Sequence, residues 1–117
     1  MFYKARLVEP RLCLPPHRIT SQEAFQRLLE AFLLKGWDHS KPSLVGYVVG
    51  NKVQLLSGSH RWAAALESET KIPVVVLPKS LVEEAWGNLV LWRIIMEAGG
   101  EVEVPRDLAW KAPLYVD

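Results

Sequence analysis

The stretch Val53-Gln54-Leu55-Leu56-Ser57-Gly58-Ser59-His60-Arg61-Trp62-Ala63-Ala64-Ala65-Leu66-Glu67 changes character at a single glycine. Val53 to Leu56 reads as a strand, whereas the three alanines after Trp62 carry strong helix propensity. The order is therefore strand, glycine turn, helix opening. A helix opening presents unpaired backbone N–H groups and the positive end of the helix dipole, so this junction suits an anion such as phosphate. Gly58 lets the backbone approach a ligand closely, and Ser59 can cap the helix or donate its hydroxyl. His60 and Arg61 bring donors to the first turn, and a guanidinium pairs with phosphate oxygens bidentately. The same residues also have a plainer meaning: Ser59 as an N-cap, His60 as a satisfied imidazole and Arg61 as a solvated charge. Four letters of Gly-Ser-His-Arg do not decide between the two.

Upstream, Leu44 to Val49 is β-branched and breaks at Gly50-Asn51, so with Val53 to Leu56 it predicts a hairpin. The polar stretch Trp37 to Ser43, with Pro42, predicts a loop before it. Further back, Phe25, Leu28, Leu29, Phe32 and Leu33 follow helical spacing. Thr20 and Glu23 form a T-x-x-E capping box for that helix, and Gly36 offers a left-handed stop. Tyr3 to Leu14 predicts a short strand or two, closed by Pro15-Pro16. Downstream, Ile72 to Leu77 is a short apolar run between turn residues, suited to a buried strand. Ser80 and Glu83 repeat the capping-box spacing and predict a long helix over Leu81 to Ala98, with Gly87-Asn88 as a point where it could bend or divide. The tail predicts a short strand at Val102 to Val104 and then an irregular segment carrying Pro105, Trp110 and Pro113.

The whole chain has 117 residues, 50% of them hydrophobic, with 14 Lys and Arg against 13 Asp and Glu. A formal charge of +1 supplies no broad attraction for a polyanion, which weighs against a protein that binds nucleic acid mainly through its backbone. One cysteine, Cys13, excludes an internal disulfide and a thiolate zinc cluster, and points to a reducing, cytoplasmic setting. His17, His39 and His60 lack metal-ligand spacing, so no protein-built metal site is expected. No apolar run is long enough to span a bilayer, and the start lacks the order of a signal peptide. Five tryptophans are many for one small core, so some are expected at a partner surface.

Gly58-Ser59-His60-Arg61-Trp62-Ala63-Ala64-Ala65, with a strand before it and Ile72-Pro73-Val74 after it, resembles the ParB N-terminal / sulfiredoxin-like superfamily. Its members carry G-x-[HR]-R, an aromatic and alanines, and then an I-P-V strand. The helix ending in Lys35-Gly36 and the proline before the hairpin, Pro42, fit the same pattern. The resemblance runs from about Leu7 to Pro78. It implies a small α+β fold with a short mixed sheet packed by helices, its core over about 7–78 of a single domain, 1–117; the helical and irregular extension over 79–117, with the long C-terminal helix read above, carries no feature of the family.

The resemblance also implies that Gly58, Ser59, His60 and Arg61 hold the phosphates of a nucleotide, ATP, ADP or CTP, with Mg²⁺ carried by the nucleotide. Sulfiredoxin has its reactive cysteine immediately before the His-Arg pair, where this chain has Ser59, so sulfinic acid reduction is not expected. A phosphotransferase or NTP hydrolase would need a base. Glu9, Glu23, Asp38 and Glu69 are available, and spacing selects none of them; the candidates are His60 and Asp38, the latter in the loop before the hairpin, where a merely solvated side chain is the plainer reading. Trp62 is expected to anchor the core rather than stack on a base. Two other classes stay open: a non-catalytic adaptor or homodimer that uses the Trp-rich C-terminal third, and a nucleic-acid-binding or nuclease-like protein.

Overall fold

Strand-forming runs and helical runs alternate along the chain, and the computed structural model, which describes residues 2–97 and 101–103, follows that alternation. In order, it contains β1 (Phe2–Val8), a 3-10 turn (Pro10–Leu12), β2 (Cys13–Leu14), α1 (Gln22–Lys35), β3 (Leu44–Val49) and β4 (Lys52–Leu55). There follow α2 (Ser59–Glu67), β5 (Ile72–Leu77), α3 (Lys79–Trp86), α4 (Leu89–Glu97) and β6 (Glu101–Glu103). The strands form one sheet in the order β2-β4-β3-β5-β1-β6. β3 runs parallel to β5 and β2 parallel to β4, while the other neighbours are antiparallel, so the sheet is mixed and the class is α+β as expected. The hairpin turns at Gly50-Asn51, with Val49 opposite Lys52.

Period-two alternation divides the core between the two faces of the sheet. Val45, Val75 and Leu77 turn one way and pack with Leu81, Val82, Ala85, Leu91 and Ile95 of α3 and α4. Leu44, Ile72 and Val74 turn the other way and meet Phe32 of α1, Trp37, and Ala64 and Ala65 of α2. β5 is covered on both sides, which is why it reads as an unbroken apolar run. Small alanines on α2 let that helix lie close against the sheet.

The helices differ from the sequence expectation in their caps and in one division. α1 is capped by Ser21, whose Oγ accepts the Ala24 N–H at 3.1 Å, one residue later than the expected Thr20. Thr20 instead spends its own N–H on a distant side chain, described below. α3 opens at Pro78 without a side-chain cap, so Ser80 and Glu83 do not form a capping box. The expected long C-terminal helix is two helices. Asn88, 2% exposed, closes α3 through its N–H to Ala85 O (3.0 Å) and opens α4 by accepting the Leu91 N–H on Oδ1 (3.1 Å). Packing explains the break: an unbroken 3.6-residue repeat from Ala85 would turn Leu89 inward, yet Leu89 is exposed and Leu91 and Ile95 are buried.

The expected strand near Val102 is β6, one residue earlier, paired with the start of β1. Trp110, Pro113 and the rest of the tail beyond β6 lie outside the described residues. Among the described tryptophans, Trp37 is buried and Trp62 is half-buried with its Nε1–H donated to Pro10 O at 2.8 Å, a core anchor as expected. Trp86 is 79% exposed, its ring edge-to-face with Trp92. No helix among the described residues is long and apolar enough to cross a membrane.

Candidate functional site

Gly58 is the N-cap of α2 and adopts a left-handed conformation, with φ +85°. A side chain there would be strained, and its Cβ would also collide with Cδ2 of Leu44, which is wholly buried. Packing thus demands the glycine before any ligand does. The first helical hydrogen bond of α2 runs from Trp62 N–H to Gly58 O (2.8 Å), which leaves the amides of Ser59, His60 and Arg61 without an acceptor among the described residues.

The side chains that follow Gly58 reach back to two loops. Ser59 is buried at 1% exposure, and its Oγ accepts the backbone N–H of His17 at 3.2 Å. His60 Nε2 accepts two amides, from Thr20 (3.1 Å) and Ser21 (3.0 Å), so its lone pair is on Nε2 and its proton on Nδ1. His60 in this way caps the opening of α1 from outside, and the N-termini of α1 and α2 meet at this imidazole. Arg61 Nη1 donates to Pro42 O at 2.7 Å, while its guanidinium lies over the Trp37 ring, 5.2 Å from the centroid.

Arg61 is half-buried, and loss of water holds its pKa below the ordinary guanidinium value. Among the described residues no carboxylate lies within 4 Å of it. It is therefore a partly desolvated cation without a counter-ion among the described residues. Beside it a cleft of about 490 Å³ opens between the C-terminal half of α1 and the loop after it. Leu28, Ala31, Phe32 and Trp37 supply apolar wall, and Lys35 and Lys41 add two more cations. Asp38 is the one carboxylate of this lining. Its Oδ1 accepts from Ser40 N–H (3.0 Å) and Oγ–H (2.6 Å), and those bonds, with weaker help from Lys41 and His39, hold its pKa below the usual range.

Of the four residues expected to bind phosphate, the structure brings Arg61 to the cleft and engages the side chains of Ser59 and His60 in holding the His17 to Ser21 segment. Of the two catalytic candidates, Asp38 lines the cleft and shapes its own loop, whereas His60 does not line it. Trp37 is the residue that sequence reasoning missed. It is 6% exposed, it packs on Phe32 with ring centroids 5.3 Å apart, and its Nε1–H has no acceptor among the described residues. Its place directly after the helix stop Lys35-Gly36 was the available signal. Cys13 lies elsewhere, buried in β2, and burial pushes its thiol up to about 11 against a smaller lowering by Lys52. Among the described residues no three His, Cys, Asp or Glu side chains gather as metal ligands.

No protein-family model matches this chain, and no curated protein matches it by sequence. Solved structures do match in fold. The C-terminally truncated chromosome-partitioning protein ParB from Caulobacter crescentus, complexed with CTP-γ-S, aligns with a TM-score of 0.53 at 18% identity, over 63% of this chain and 44% of its own. A free serine kinase in complex with AMP aligns at 0.52 and 19% identity, over 64% of this chain and 31% of its own. Sulfiredoxin from Arabidopsis thaliana aligns at 0.52 and 16% identity, over 71% of this chain and 93% of its own. The chain thus spans less than half the length of the ParB and kinase chains it matches, and most of the sulfiredoxin. With its mixed sheet, its glycine-led α2 and these three likenesses, the chain has the ParB/sulfiredoxin-like fold.

Proposed function

We propose that this protein binds a nucleotide, with the phosphates at the opening of α2. The observation that carries the proposal is the meeting of two helix N-termini at His60, beside a desolvated Arg61 that has no counter-ion among the described residues. Unpaired amides and two dipole ends attract the same species, a compact anion. The amides of His60 and Arg61, half-buried residues of the first turn with no acceptor among the described residues, are the donors offered to the phosphate, and the Nδ1–H of His60 is a further one. Ser59 is buried, and its hydroxyl accepts the His17 N–H. Ser59 therefore serves as a tether for that segment, and Gly58 as the turn that aims the amides. The nucleotides named for two proteins of the same fold, CTP-γ-S on ParB and AMP on the kinase, support the choice of ligand.

Mg²⁺ would arrive with the nucleotide, whose phosphates and bound water supply most of its ligands. Phosphoryl transfer or hydrolysis belongs to this proposal only as a second step, with Asp38 the carboxylate nearest to hand on the cleft lining. Isothermal titration with ATP, ADP, CTP and GTP in the presence of Mg²⁺ tests the binding. At least one is expected to bind, and Arg61→Ala is expected to weaken it by about 1–3 kcal/mol. Absence of heat with all four at millimolar concentration would overturn the proposal.

A further inference from the structure

The cleft beside α2 has a composition of its own. Leu28, Ala31 and Phe32 give it an apolar floor on α1, and Trp37 continues that surface. Three cations line it against one carboxylate, and that carboxylate, Asp38, is already committed to Ser40. Arg61 uses one guanidinium N–H on Pro42 O and lies over the Trp37 ring, which leaves the rest of its fork without a protein acceptor among the described residues. A half-buried cation in that state gains from a fixed anion more than a fully solvated lysine would, since part of its water is already lost. A volume of about 490 Å³ with mostly apolar walls and a few convergent polar groups is of the size and character of small-molecule sites.

We propose that this cleft is a binding site for an anion carrying a flat apolar ring, with the anionic group on Arg61 and the ring against Leu28, Ala31 and Phe32. Lys35 and Lys41 add long-range attraction, and the loop carrying Asp38, held by Ser40, forms a wall. The site stands on the cleft's own groups and does not depend on phosphate at the amides of α2. A ring-bearing anion has two sources, the nucleotide itself or a separate aromatic anion.

Phenyl phosphate is the probe, followed by ¹H–¹⁵N spectra of the labelled full chain. The indole N–H of Trp37, which has no acceptor among the described residues, reports on the cleft. It is expected to shift and saturate with phenyl phosphate at millimolar concentration, and about tenfold or more weakly with either phenol or inorganic phosphate, each of which keeps one half of the recognition. Ala31 is exposed, so Ala31→Phe fills the cleft without disturbing the core, and it is expected to weaken phenyl phosphate by about tenfold or more. Arg61→Lys, which keeps the charge and loses the fork, is expected to weaken it as well. AMP competes for Arg61 in either case, so Ala31→Phe separates the sources: AMP weakened by that change as phenyl phosphate is would identify the nucleotide as the source, and AMP affinity left unchanged by it would identify a separate aromatic anion; both results keep the cleft as the site. Unchanged phenyl phosphate affinity in Ala31→Phe, or shifts confined to the α2 amides, would overturn it while leaving nucleotide binding at α2 intact.

Discussion

Gly58 shows how one residue serves backbone and packing together. Its φ of +85° lies where a side chain costs roughly 1 kcal/mol, and its missing Cβ leaves room for Leu44. Overpacking of this kind adds typically about 1–3 kcal/mol. Gly58→Ala is therefore expected to lower the unfolding free energy by about 2–4 kcal/mol, read from urea denaturation. The contact with Leu44 has its own signature. Leu44→Val trims the colliding branch, so the double variant is expected to be more stable than the sum of the single losses predicts. Strict additivity would mean that Leu44 is not what excludes the side chain. The sequence marks Gly58 plainly as a turn between strand and helix. It does not name Leu44, fourteen positions earlier by number, because the two meet only once β3 lies beside the α2 opening.

The elements show which signals are local and which are not. The hairpin around Gly50-Asn51 and the apolar run of β5 are legible because each depends on residues close in sequence. Cap positions are less so. Thr20 and Ser21 are adjacent hydroxyl residues, and either satisfies the rule for an N-cap; tertiary structure chooses, because Thr20 gives its N–H to His60, forty residues away. The division of the last helix follows the same logic. Gly87-Asn88 is a visible weak point, but only the packing of Leu91 and Ile95 against the sheet makes the break necessary. Asn88 holds that break on both sides. Asn88→Ala removes the cap of α4 and is expected to cost about 0.5–2 kcal/mol, with loss of hydrogen-exchange protection concentrated in the first turn of α4. Asn88→Asp, which keeps an acceptor for the Leu91 amide, is expected to retain more of that protection than alanine does. Equal loss in the two variants would show that the side-chain cap is not what holds the corner.

At the scale of the molecule, the candidate site is assembled from loops that the sequence keeps far apart. His17 reaches Ser59 across 42 residues and Pro42 reaches Arg61 across 19, and no periodicity encodes either contact. That is why Gly58 to Arg61 could be picked out while Trp37 and the cleft could not. The sheet also closes over a group with no role in that site. Cys13 on β2 packs into the core formed by α1, α2 and the sheet, and burial lifts its thiol from 9.0 to about 11. The folded chain then keeps the thiol proton in a range where the unfolded chain releases it. Stability is unaffected by this group below about pH 9, and it falls as pH rises from 9 toward 11, because deprotonation favours the unfolded state. Urea midpoints measured across that range are expected to fall more steeply for the natural chain than for Cys13→Ala, whose side chain cannot titrate. Lysines and tyrosines contribute equally to both curves, so the difference isolates Cys13. Parallel curves would mean that Cys13 is not held in its neutral form by the core, and that the β2 edge of the sheet is more open to water than its burial implies.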